Sequence, residues 1–133
     1  MQIINNPLGA KANDNDGLTY ISKTLKNMAN NLEASVFALS QLNRTVEGRA
    51  IKVPTLSDLR GSGSLEQDAD HVWLLHRDEY YNPDTERKGE VDIYIAKQRD
   101  GERGVTAKLY FDKQSGSFCD LADKNDLSLR YCL

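Results

Sequence analysis

The 133-residue chain has only two cysteines and two histidines, and each shortage removes a class of chemistry. Cys119 and Cys132 stand 13 positions apart near the end, with no Cys-x-x-Cys spacing and no signal peptide ahead of them. A reducing cytosol, and so a cytoplasmic location, fits that usage. His71 and His76 are an odd number of positions apart on a run that reads as a strand, so they face opposite sides and no metal site is expected. No apolar run approaches the ~20 residues that span a bilayer, so no membrane partner is expected. An excess of positive charge is lacking too. The 17 basic and 20 acidic residues leave a net charge of −3, which argues against a protein that coats polyanions with its whole surface.

What is present is enough chain for one small domain or one piece of a larger one. Residues 1–16 carry Pro7, Gly9 and an Asn/Asp-rich cluster, which favours turns and predicts a mobile loop. Leu18, Ile21, Leu25, Met28 and Leu32 recur at intervals of 3, 4, 3 and 4, which predicts a helix with one packed stripe and Asp16 near its N-cap. Residues 34–40 (Ala-Ser-Val-Phe-Ala-Leu-Ser) are apolar on both faces, as in a strand buried inside a parallel sheet. Gln41-Leu42-Asn43-Arg44 follows directly, at the carboxyl end of that strand, where open α/β sheets gather ligands. Between Arg44 and Arg60, four cations face two carboxylates, a local basic patch in an acidic chain.

Residues 57–70 read Ser-Asp-Leu-Arg-Gly-Ser-Gly-Ser-Leu-Glu-Gln-Asp-Ala-Asp. Two glycines and three serines around Arg60 predict a mobile, strand-poor loop whose backbone N–H groups can approach an anion, with phosphate the natural guest. Residues 71–75 predict a second buried strand, and residues 78–89 a turn-rich surface excursion. Val91, Ile93 and Ile95 alternate with Asp92 and Tyr94, and Val105, Ala107, Leu109 and Phe111 alternate with Thr106, Lys108 and Tyr110. That is a β-hairpin with one buried face. The same alternation carried past Ile95 puts Lys97 and Arg99 on the formerly apolar face, so two cations emerge where the hairpin leaves the core. A solvated turn would carry such charges as well, but an arginine beside a transferring phosphoryl group would stabilise the charge that develops there. Beyond Asp112 periodicity fades into a polar tail.

Four blocks, Ser40-Gln41-Leu42-Asn43-Arg44, residues 57–70, Arg77-Asp78-Glu79-Tyr80-Tyr81-Asn82-Pro83 and Ala96-Lys97-Gln98-Arg99, together resemble the DnaB-type replicative DNA helicases in order and spacing. The resemblance runs from about Tyr20 to Leu121, over the second half of the family's RecA-like motor. It implies an α/β chain with a partial RecA-like fold: a mixed sheet, flanking helices and a C-terminal antiparallel β-hairpin. Residues 1–121 would be the C-terminal portion of that motor and residues 122–133 a tail. The function it implies is a share in a hexameric, ATP-dependent ring that moves along single-stranded DNA, with primase and a helicase loader as further partners. Gln41 matches the glutamine that senses the γ-phosphate. Arg44 lies in the same block. Arg60, Gly61 and Gly63 match the loop that holds the DNA backbone, and Lys97 and Arg99 match the cations that reach into a neighbouring subunit's nucleotide site. Gly61 departs from the family, which usually has an acidic residue there.

The chain contains no G-x-x-x-x-G-K-[ST] stretch, so nothing in it can wrap the β- and γ-phosphates of ATP. The Asp that would hold Mg²⁺ at the end of a preceding strand is missing as well, and Met1 falls where the family's sequence has just left that strand. ATP and Mg²⁺ are therefore expected of a full-length protein, with no hydrolysis by this piece alone. The competing expectation is a truncated, non-catalytic module that binds single-stranded DNA or an intact helicase.

Overall fold

A computed structural model describes residues 14–59, 62–102 and 104–121 of the chain. They fall in two compact units, Met1–Val72 and Trp73–Leu133.

The first unit is led by helix α1, Asp14–Asn31. Residues 14–16, read from sequence as the end of a loop, form its first turn instead, where the Asp16 carboxylate lies near the positive end of the helix dipole. Residues 1–13 of that expected loop lie outside the described residues. The anticipated stripe is buried at Ile21 and half-buried at Leu18 and Leu25, then opens to solvent at Met28 and Leu32. The helix stops in a Schellman arrangement: Glu33 takes a left-handed φ of 49°, its N–H bonds to the Asn30 carbonyl, and the Ala34 N–H bonds to the Ala29 carbonyl.

Residues 34–40 do not form the expected strand. They carry no regular secondary structure and are exposed throughout, Phe37 by 80% and Leu39 by 88%. Apolar pattern marks a segment as able to be a buried strand, but a strand exists only where a neighbour satisfies its backbone, and pattern cannot supply the neighbour. Two 3₁₀ turns follow, η1 (Arg44–Gly48) and η2 (Leu56–Asp58). The glycine- and serine-rich stretch then departs from its loop expectation, because Ser62–Asp68 is a short helix, α2. Leu65, Glu66 and Gln67 are good helix formers, and α2 docks on α1 through a hydrogen bond from Ser22 Oγ to Asp68 Oδ2 (2.7 Å). Just beyond α2, Lys26 of α1 pairs with Asp70.

The second unit is built on a sheet of order β1-β2-β3-β4, whose first strand begins in the last two residues of the first unit. Its strands are His71–His76, Glu90–Gln98, Thr106–Asp112 and Ser117–Asp120. Strand β1 is one-sided and not buried on both faces: Leu74 and His76 are buried, while His71, Trp73 and Leu75 are exposed. The two histidines do face opposite sides. The predicted hairpin is present, with β2 and β3 antiparallel and Glu90, Asp92 and Tyr94 opposite Tyr110, Lys108 and Thr106. The expected polar tail instead contributes β4, antiparallel to β3, through a turn in which Gly116 has φ 72° and Gln114 N–H bonds Asp112 Oδ1 at 2.9 Å. It buries Cys119 and sets Phe118 beside Phe111, ring centroids 5.1 Å apart.

Between β1 and β2 the expected surface excursion is tied down. Helix α3, Asp78–Tyr81, carries Glu79, whose carboxylate accepts from the Gly89 N–H (3.2 Å) and from Lys113 Nζ (2.6 Å). These donors, Lys113 first, hold the Glu79 carboxyl below its usual range. Gly89 has φ 73°, and a Cβ there would meet the Tyr110 ring at 2.4 Å. Gly89→Ala therefore destabilises the chain by about 2 kcal/mol, from a forbidden φ plus an aromatic clash. Gly48→Ala, at a position with nothing within 4 Å, stays close to the parent. Urea unfolding monitored by circular dichroism checks both.

Candidate functional site

The anion-binding residues expected from sequence fall into two groups, one in each unit. In the first, an antiparallel bridge between Leu42 and Leu59 lays the Gln41–Arg44 segment against Leu59. The Asn43 N–H also donates to the Asp58 carbonyl at 2.7 Å. Gln41 and Arg44 are both exposed. Arg44 opens η1, which Asn43 caps by accepting the Thr45 N–H on Oδ1 at 3.2 Å. Gly63 lies exposed in the first turn of α2, which packs against η2, and a Cβ there would meet nothing within 4 Å. Arg60 and Gly61 lie outside the described residues.

One residue that pattern reading passed over organises this group. Asp58 is only 5% exposed, yet its carboxylate accepts from the Thr55 N–H (2.7 Å), Thr55 Oγ1 (2.9 Å) and Arg49 Nη2. Burial pushes its carboxyl upward, but the Arg49 and Thr55 hydrogen bonds outweigh that and hold it below the ordinary 3.8. The signal was available: Thr55-x-x-Asp58 has the spacing of a capping box, which joins the first residue of a turn to the third beyond it.

In the second unit, backbone bonds from the Ile95 N–H to the Val105 carbonyl (3.0 Å) and from the Gly104 N–H to the Ile95 carbonyl (3.1 Å) mark where the hairpin stem ends. Lys97 and Arg99 come two and four residues later, half-buried and exposed respectively. A Cβ on Gly101 would meet the end of the Gln98 side chain at 2.0 Å, a contact that the flexible Gln98 side chain can relieve by moving. At the other end of β2, buried Asp92 (3% exposed) accepts from Arg87 Nη2 at 2.6 Å, and Arg87 Nε also donates to Glu90 at 3.1 Å. These carboxylates, Asp92 first, raise the Arg87 pKa above its usual value. His76 is buried nearby, stacked on Tyr81 (5.7 Å, 15° between planes) with Tyr94 at 6.4 Å. Arg77 holds its guanidinium 5.5 Å from the centre of the Phe111 ring.

Chemically, guanidinium and ammonium groups and a side-chain amide, at Arg44 and Gln41 in one unit and Lys97 and Arg99 in the other, are of the kinds that suit phosphate oxygens. Among the described residues no group of three or more His, Cys, Asp and Glu is placed to hold a metal ion, and no helix is long and apolar enough to cross a membrane.

Residues 1–120 match the family model for the DnaB-like helicase C-terminal domain. The chain belongs to this family. It is 47% identical over 126 residues to the replicative DNA helicase DnaB of Geobacillus stearothermophilus, covering 95% of this chain and 28% of that one. It is 50% identical over 110 residues to the replicative DNA helicase DnaB of Pasteurella multocida, covering 83% and 23%. A solved ATPase domain superposes with a TM-score of 0.81 at 48% identity, over 86% of this chain and 40% of that one. A solved DnaB-like replicative helicase, described with its interactions with primase, gives 0.80 at 48%, over 85% and 27%. The DnaB-like chain is thus an α/β, RecA-like piece that spans about a quarter of the length of the curated relatives it matches.

Burial lowers the His76 pKa, while Asp92 and Asp78 push it back up and Arg87 adds to the lowering. The net depression below the ordinary 6.5 has a definite sign. As pH falls, the unfolded chain takes up the proton first, so stability present above the ordinary pKa is lost as pH drops through the folded one. Urea midpoints fall between about pH 7.5 and about pH 5.5 in the parent, and less in His76→Phe, which keeps the stack on Tyr81 but cannot titrate.

Proposed function

We propose that this chain is part of a hexameric, ATP-dependent replicative DNA helicase, in which it binds single-stranded DNA and lends two cations to a neighbouring subunit's triphosphate. The observation that carries the reading is the pair Lys97 and Arg99, presented past the end of a paired hairpin stem in a chain of the DnaB-like family. Phosphoryl transfer spreads negative charge over the oxygens of the moving group, and a fixed guanidinium or ammonium beside them stabilises that charge without reorganisation. Arg99 supplies the forked donor and Lys97 the compact one. Gln41, whose amide both donates and accepts, relays the state of the γ-phosphate to the neighbouring backbone.

In this reading Arg44, Arg60, Gly61 and Gly63 hold the DNA backbone, through contacts that register phosphate and not sequence. Gly61, in place of the family's acidic residue, would make the loop more flexible and loosen its grip on DNA. ATP would bring the reactive phosphoryl group and Mg²⁺ its charge neutralisation. The cations and amide of this chain suit phosphate oxygens. The wrapping loop and the metal-holding carboxylate would come from the remainder of a longer protein, so this piece does not hydrolyse ATP alone. Primase is proposed as a partner on the strength of the similar solved helicase described with it, and a helicase loader on the family's mode of assembly.

Titration of labelled single-stranded DNA at two salt concentrations tests the DNA-binding part. Affinity falls steeply with salt in the parent, and Arg44→Ala weakens binding of all sequences alike and reduces the slope of log K against log salt by about one. Binding that is unmeasurable, or indifferent to salt, contradicts the reading.

A further inference from the structure

Gln98 stands between the two cations of the second unit, and its side chain folds onto the turn that follows it. Beyond the bonds that join Ile95 to Gly104 and Val105, β2 runs on to Gln98 and the chain turns at Arg99 and Asp100. The half-buried Gln98 side chain arches over Gly101: a Cβ there would fall 2.0 Å from Nε2, 2.7 Å from Cδ and 3.3 Å from Cγ. Three successive atoms of one side chain thus crowd the space that a side chain at 101 would enter. Gly101 takes no left-handed φ, so its backbone does not itself require glycine. What glycine supplies there is a seat for the amide.

We infer that Gln98 is a positioning residue for Arg99, holding the turn that carries the guanidinium in one conformation through its contact with Gly101. The inference rests on the reading of Lys97 and Arg99 as cations lent to a neighbouring subunit's triphosphate, and deepens it by naming what fixes the second of them. The contact brackets Arg99: Gln98 precedes it, Gly101 comes two residues after it, and seating one on the other restricts the backbone dihedrals of residues 99 and 100. Gln98 is assigned no contact with phosphate. Its effect passes through the backbone. A turn ordered in advance keeps its cation where charge will develop, whereas a loose turn has to be ordered during the reaction, and a small misplacement there is costly. Two substitutions disturb the contact from opposite sides. Gln98→Ala removes the side chain, and Gly101→Ala evicts it from its seat, because the flexible Gln98 side chain is the group that moves aside.

The test is made in a full-length DnaB-type helicase whose corresponding segment is replaced by that of this chain, with steady-state ATPase measured beside hydrogen exchange of the peptide that contains residues 98–101. Gln98→Ala and Gly101→Ala are each expected to lower kcat about tenfold, with KM for ATP unchanged, because the cation acts on charge that develops only in the transition state. Exchange across residues 98–101 speeds up in both. The double variant loses no more than either single one, since both substitutions abolish the same contact. Gln98→Met, an unbranched chain of similar reach, restores most of kcat. Arg99→Ala, expected to lose about a thousandfold, reports on the reading beneath. Single variants that turn over like the parent, losses that add in the double variant, losses confined to KM, or no rescue by Gln98→Met each overturn the positioning role, and an inactive Arg99→Ala then leaves the proposed function standing. An Arg99→Ala as active as the parent overturns both.

Discussion

A carboxylate removed from water has to be met by donors, and both units of this chain are arranged around that requirement. Left unpaired, such a charge costs several kcal/mol, so the segments that carry its partners are held wherever the charge is. In the first unit Asp58 gathers Thr55 and Arg49, and its own carbonyl takes up Asn43. In the second, Asp92 draws in Arg87 and with it the approach to β2, where buried Thr85 accepts the Arg87 N–H at 3.2 Å. Such pairs add less to net stability than their short distances suggest. What they contribute is a single arrangement in place of many.

That arrangement determines what the surface can offer. With β2 anchored at one end by Asp92 and paired to β3 as far as Ile95, the chain reaches Lys97 and Arg99 from a stem whose position is set. In the first unit the Gln41–Arg44 segment is likewise held by backbone contacts to Asp58 and Leu59. Both cases share a physical pattern: a buried acid paired to an arginine fixes the backbone of its own unit. Within the proposed helicase reading this pattern makes sense. Cations that stabilise a transition state must be in place before charge develops, and a flexible tip would lose part of its effect to reorganisation.

How much of this could be read from the amino-acid order depended on whether the controlling partner was local. The stripe at Leu18, Ile21 and Leu25 and the alternation at Val91, Ile93 and Ile95 announced α1 and the hairpin, because each pattern is complete within its own element. Residues 34–40 had the composition of a buried strand, but whether such a run becomes one depends on neighbours elsewhere in the chain or beyond it. Ser62–Asp68 read as loop because its glycines and serines allow loop, and docking on α1 selected helix. Strand β4 was missed because its four residues make a pattern only against β3. The Gln41, Arg44, Lys97 and Arg99 positions came from motif and alternation. Asp58 and Arg49 did not, although the Thr55-x-x-Asp58 spacing pointed to the first of them.

The central claim is that Lys97 and Arg99 act on a triphosphate held by a different subunit. It is tested most directly in a DnaB-type helicase whose corresponding segment is replaced by that of this chain. Two inactive versions are prepared, one with Arg99→Ala and an intact phosphate-binding loop, the other with intact Arg99 and a disabled phosphate-binding loop, and their ATPase rates are measured apart and mixed. The account predicts that mixed rings recover hydrolysis, because each subunit type supplies what its neighbour lacks. Mixed rings no more active than either version alone would contradict it.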